Sequence, residues 1–209
     1  MKLKGTLVPF CFCDKNRDMN RKPKLLLHTC CGTCGAWIPE MLSEDFEVDL
    51  YYFNPNIHPE KEYLRRLEDV RKVARALNLK LIEGNYNPRS WFEHVKGLEG
   101  EPEGGKRCTL CFELRLREAA KYASENSYDI FGTTLTIGRN KRADIINPIG
   151  EKLASEFGLL FLDRDFKKQA GFEKSCRKSD EIGVVRQNYC GCSFSLNERL
   201  EFDKNKNRE

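Results

Sequence analysis

The chain has 209 residues, 40% of them hydrophobic and 33% charged, the size and balance of a soluble chain that can bury a proper core in one domain. No apolar run approaches the roughly 20 residues of a membrane span, and 36 Lys and Arg against 32 Asp and Glu leave a net charge of +4, which permits an anionic partner without demanding one. Ten cysteines are more informative. The start, MKLKGTLVPFCFCDK, has no small-residue cleavage site, so a cytoplasmic location is expected, where thiols hold metal or do redox work more often than they form structural disulfides.

In chain order, Lys24 to Thr29 is a short apolar run that predicts a strand, ending in a loop with His28, Cys30, Cys31, Gly32 and Cys34 before a helix near Ala36. Phe46 to Phe53 predicts a second buried strand, stopped by Asn54-Pro55-Asn56. Glu60 to Asn78 places Leu64, Leu67, Val70, Val73, Ala74 and Leu77 at helical spacing. Leu79 to Glu83 predicts a strand and Ser90 to Val95 a short helix, and the glycine-rich stretch from Gly97 to Lys106 is expected to form a mobile flap.

Cys108 and Cys111 open the next helix, Tyr128 to Ile137 predicts a strand, Ala143 to Phe157 a helix and Leu159 to Leu162 a strand. From Asp163 the chain turns basic, then reaches Tyr189-Cys190-Gly191-Cys192, and residues 197–209 read as a charged, frayed tail. The alternation predicts a mainly parallel α/β sheet with helices on both faces and ligands beyond the carboxyl ends of its strands. Residues 1–209 read as one such domain, with 1–23 as an N-terminal extension.

Cys108-x-x-Cys111 at a helix start is half of a metal site, because one turn aims two thiolates at one centre. The loop with Cys30, Cys31 and Cys34 can supply the other half. Adjacent cysteines in extended chain face opposite ways, which makes Cys31 with Cys34 a physical rival to Cys30 with Cys31. Four thiolates suit both zinc and an iron–sulfur cluster, and a position on the ligand-binding edge of a sheet argues for chemistry. Cys190-Gly-Cys192 fits a readily reduced disulfide, two metal ligands or two plain thiols. Cys11-Phe-Cys13-Asp14 resembles a further metal half-site, and Cys176 stands alone. His28, Asp14 and Tyr189 are candidate proton donors. Asn54, Asn56 and His58 flank the second strand's end and converge on the same edge.

Five blocks then become specific: LLLHTCCGTC from Leu25, FNPNIHP from Phe53, EGGKRCTLCF from Glu103, TTLT from Thr133 and YCGC from Tyr189. Together, over about residues 24–194, they resemble the QueH-type epoxyqueuosine reductases. The resemblance implies a cobalamin-independent enzyme that reduces epoxyqueuosine to queuosine at the wobble position of tRNAs with GUN anticodons, on a Rossmann-like (HUP-like) fold. It implies a [4Fe-4S] cluster on Cys30, Cys31, Cys108 and Cys111, a redox-active pair of Cys190 and Cys192, and an external donor such as a ferredoxin or a reductase. Two departures stand out. Gly138-Arg139-Asn140-Lys141 follows the TTLT block where Ser-Pro-His-Lys is usual, and Cys11/Cys13 lies outside the pattern, leaving room for an additional iron. The alternatives are a tRNA sulfur-transfer enzyme or thiol oxidoreductase, and a zinc-stabilised RNA-binding module.

Overall fold

The computed structural model describes residues 21–206, so the readings made for Cys11, Cys13 and Asp14 lie outside the described residues. Five parallel strands form one sheet: β1 (Lys24–His28), β2 (Glu47–Tyr52), β3 (Leu81–Glu83), β4 (Ile130–Thr133) and β5 (Leu160–Phe161), in the order β3-β2-β1-β4-β5. The predicted mainly parallel α/β architecture is thus observed. Helices occupy every crossover: α1 (Gly32–Gly35) and α2 (Ile38–Leu42), α3 (Glu60–Ala76), α4 (Pro88–His94) and α5 (Lys106–Glu125), and α6 (Ala143–Phe157). After β5 come α7 (Gly171–Ile182) and α8 (Ser193–Lys206).

Side chains alternate across a strand, and the central strand shows what that does here. Leu25 and Leu27 point into a core shared with α2, α3 and α7, whereas Leu26 points into a second core with α5 and α6. All three are fully buried, each contributing about 1.5–3 kcal/mol by its removal from water. Strand β1 is therefore apolar on both faces, as a central parallel strand must be.

The departures from the sequence expectations have local causes. Strand β4 stops at Thr133 instead of running to Ile137, because Thr133 Oγ1 accepts from the Leu135 amide at 3.1 Å and turns the chain into a single 3₁₀ turn. On α3, Leu64 faces solvent, and Arg66 occupies a buried position beside Leu67 and Val70. The glycine-rich stretch expected as a flap is tied down instead. Buried Arg107 donates through Nη1 to the carbonyls of Leu98, Glu99 and Glu101, and pairs through Nη2 with Glu198 of α8 at 3.3 Å. The segment from Asn197, expected to fray, continues α8 to Lys206.

The strand order reverses between β1 and β4, the point in such a sheet where a crevice opens beyond the carboxyl ends. Chain leaving β1 runs directly into Thr29, Cys30 and Cys31, and chain leaving β4 into Thr134. The two exits are stitched together, with the Thr134 amide donating to His28 O at 2.9 Å and the Cys30 amide to Thr134 Oγ1 at 3.3 Å.

Candidate active site

Above that crevice lies a cavity of about 480 Å³, floored by Cys30, Cys31 and Cys34 and reached by Asn56, Arg115, Lys141, Tyr189 and Cys190. The cysteine floor is built by a tight turn. Cys31 is the N-cap of α1, its Sγ accepting from the Cys34 amide at 3.4 Å. Gly32 permits the close packing this needs, since a Cβ there would lie 2.8 Å from Val184 and 2.9 Å from Asp69.

The Sγ atoms of Cys30, Cys31 and Cys34 all lie within 4.8 Å of one another, those of Cys30 and Cys31 being 3.9 Å apart. This is the one group of three or more potential metal ligands so close together among the described residues. The two rival pairings, Cys30 with Cys31 and Cys31 with Cys34, are therefore both brought together. Cys108 and Cys111 stand outside that trio, on the first turn and a half of α5, with the Gly104 amide donating to Cys108 Sγ at 3.2 Å.

Hydrogen bonds from the Cys31 and Cys34 thiols hold Cys30 well below the ordinary thiol range, and the Arg115 and Lys141 cations act in the same direction against its burial. The same exchange pushes Cys31 up to about 12. Burial raises Cys108 to about 11.

The Cys190-Gly-Cys192 segment divides its thiols between two environments. Cys190 lines the cavity and accepts from Lys141 Nζ at 3.3 Å. Cys192 is buried in a small cluster with Trp91, Val95 and Cys111. Both are free thiols in this structure. Gly191 sits at φ +126, a conformation rarely open to other residues, and a Cβ there would come within 2.9 Å of Arg66 Nη1. Tyr189 also lines the cavity, its hydroxyl donating to the His58 carbonyl at 3.3 Å.

His28 is fully buried beneath the floor, with Nδ1 paired to Thr133 Oγ1 at 2.9 Å and Nε2 to Phe53 O at 3.2 Å. Burial, reinforced by the Arg115 charge, drops it to about 3, so it is neutral at physiological pH. It is not among the residues that line the cavity.

Two cations at the site could not be picked out from sequence pattern. Arg115, on α5 one turn beyond Cys111, is 1% exposed and has no carboxylate partner among the described residues. Its Nη2 donates to Asn54 Oδ1 at 2.6 Å, and it faces the thiols of Cys111, Cys30 and Cys190. Lys141 likewise pairs with no carboxylate there. Burial opposes its charge, but Cys190 and Cys30 outweigh that and raise its pKa. The only available hint was the lysine in the block after TTLT. A buried charge such as Arg115 without a counter-charge is strongly destabilising, so this shell suits negative charge.

Comparisons with known proteins converge on one family. The family model described as "Epoxyqueuosine reductase QueH" matches residues 25–198. Proteins of that name are similar to this chain in Staphylococcus epidermidis (41% identical, covering 86% of this chain and 78% of the relative) and in Haemophilus influenzae (38%; 89% and 75%). The Thermotoga maritima relative is 36% identical, covering 85% of this chain and 92% of its own. A solved structure titled as a predicted subunit of tRNA methyltransferase from Methanocaldococcus jannaschii shares the fold, with a TM-score of 0.52 at 10% identity over 76% of this chain and 75% of its own.

Proposed function

The chain belongs to the epoxyqueuosine reductase QueH family and is an oxidoreductase of queuosine biosynthesis, and from that premise we propose that it reduces the epoxide of epoxyqueuosine in tRNA to the alkene of queuosine, using an iron–sulfur cluster and the Cys190/Cys192 pair. The observation that carries this reading is the pairing of two carboxylate-free cations, Arg115 and Lys141, with a floor of thiols at the switch point of the sheet. Thiolates holding iron are anionic, and they suit that surrounding, whereas without a metal the one lowered thiol, Cys30, faces two cations.

The residues present fit the group. On this reading Cys30 and Cys31 would hold it together with Cys108 and Cys111 of α5, and Cys34 is a further thiol within 4.8 Å of the first two. When bound, an iron–sulfur cluster supplies electrons one at a time.

Removing the epoxide oxygen breaks two C–O bonds, forms one C=C bond, consumes two electrons and two protons, and releases water. Two thiols closing to a disulfide yield that same pair of electrons and protons, so Cys190 and Cys192 can balance one turnover, after which an external donor regenerates them. Lys141 keeps Cys190 at the cavity wall and carries a proton at Nζ. Tyr189 carries another at its hydroxyl. His28, with both ring nitrogens engaged, orients the cysteine loop from below.

Anaerobically purified protein, analysed for iron, sulfide and zinc and then mixed with epoxyqueuosine-bearing tRNA and a reductant, tests this. A brown protein absorbing near ~400 nm with about four irons and four sulfides per chain, forming queuosine, is expected. A colourless protein holding about one zinc and leaving the epoxide intact overturns the reading.

A further inference from the structure

Two asparagines leave strand β2 within three residues of each other, and they are used differently. Asn54 is spent on the protein: Nδ2 donates to Thr29 O at 3.0 Å and Oδ1 accepts from Arg115 at 2.6 Å. Asn56 is 2% exposed and lines the cavity with the three floor cysteines, yet its enclosed Oδ1 has no hydrogen-bond partner among the described residues. Burying an amide oxygen without a donor is destabilising, so such an atom in a cavity wall points to a ligand.

The chemistry of the missing partner is constrained. Thiolates and cluster sulfides are hydrogen-bond acceptors, and a carbonyl oxygen is too, so a cluster held by the cysteine floor leaves Asn56 Oδ1 unsatisfied, and a thiol S–H is only a weak donor. The partner must bring an O–H or N–H. Thr33, which also lines the cavity, has its hydroxyl oxygen buried and unpartnered as well, and a hydroxyl both donates and accepts. A second hydroxyl, presented by the ligand, matches both.

We propose that Asn56 is the specificity-determining residue of the site, accepting a hydrogen bond from a hydroxyl of the oxygenated carbon ring that enters the cavity, with Thr33 beside it. This deepens the reductase reading and rests on it. An unmodified guanosine lacks that ring, so the side chain distinguishes modified from unmodified tRNA.

The test compares wild type, Asn56→Leu and Asn56→Ala in the holoprotein, with one tRNA bearing epoxyqueuosine and the same tRNA bearing unmodified guanosine. Wild type is expected to bind the modified tRNA more tightly. Each variant is expected to lose roughly tenfold or more of that preference, to show a raised KM for the modified tRNA, and to keep its affinity for the unmodified one. Melting temperature and cluster absorbance are expected to hold or rise in Asn56→Leu, because Oδ1 gives up no hydrogen bond to the protein. Unchanged discrimination overturns the proposal, as does a fall in melting temperature in both variants, which assigns Asn56 to the scaffold. Failure of the reductase reading shows separately, as a wild-type holoprotein that leaves epoxyqueuosine unreduced.

Discussion

Arg66 of α3 reaches across 124 positions of sequence to hold Cys190, its Nη1 donating to the Cys190 carbonyl at 2.8 Å. The same guanidinium donates through Nη2 to Tyr189 O at 3.3 Å, lies 4.8 Å from the Tyr189 ring centre, and is itself held by Glu62 at 2.6 Å. A planar fork serves two carbonyls at once in a way an ammonium cannot. The helix that packs the core on one side thus sets the position of a thiol at the cavity.

Arg66→Lys is accordingly expected to lower stability by about 2 kcal/mol, seen as a melting temperature lower by roughly 4–8 °C. Turnover should fall while iron content stays unchanged. Gly191→Ala, whose new Cβ meets Arg66, should produce the same loss of turnover. Alkylation of Cys190, followed by peptide mapping, should accelerate in both. Wild-type alkylation rates would sink the positioning role.

Cys34 and Cys108 make opposite predictions. Cys108→Ala is expected to abolish both the brown colour and turnover. Cys34→Ser, which removes the third thiol of the floor, should keep about four irons per chain and lose only iron beyond that number. Metal and sulfide analysis of the two variants decides the ligand set, and a colourless Cys34 variant would move Cys34 into it.

His58 predicts a pH dependence of stability. It stacks on Phe92 with ring centres 4.5 Å apart, is 8% exposed, and neither ring nitrogen has a hydrogen-bond partner among the described residues. Burial depresses its pKa to about 4. The unfolded chain, titrating at the ordinary 6.5, therefore binds more protons between pH 6.5 and 4, and stability falls as pH drops through that window. Glu62, held down to about 2 by Arg65 and Arg66, extends the loss further into acid as its salt bridges are protonated away. His58→Phe should flatten the upper part of the profile and raise the melting temperature at pH 5, since it replaces an unpartnered imidazole in an aromatic box. An unchanged slope between pH 6.5 and 4 would contradict this account.

Arg107→Ala should release the segment from Gly97 to Lys106, whose carbonyls the guanidinium now gathers. Amide hydrogen exchange across that segment is expected to rise at least tenfold, with the sheet unaffected. Exchange as slow as in wild type would mean that Glu198, which accepts from the Glu103 amide, holds the loop by itself.

What the sequence by itself determined here was local. The apolar run of β1, the helical spacing of α3 and α6 and the two cysteine turns depend on neighbours a few residues apart, so the parallel α/β architecture and the cysteine-bearing edge could be read without coordinates. The five motif blocks likewise led to the family before any geometry. Only tertiary structure decided which side chains meet at that edge. Arg66, Arg107 and Arg115 are indistinguishable in sequence from the solvated arginines around them, and what buries them is contact with chain as much as 124 positions away. The third floor cysteine was settled in the same way, since whether Cys34 joins Cys30 and Cys31 depends on how sharply the chain turns into α1. Strand β4 stopped early because a threonine hydroxyl captured the next free amide, and the start of α8 is tied to α5 through the Arg107–Glu198 pair. Propensity acts over a few residues, whereas compensation of a buried charge acts wherever the fold brings its partner.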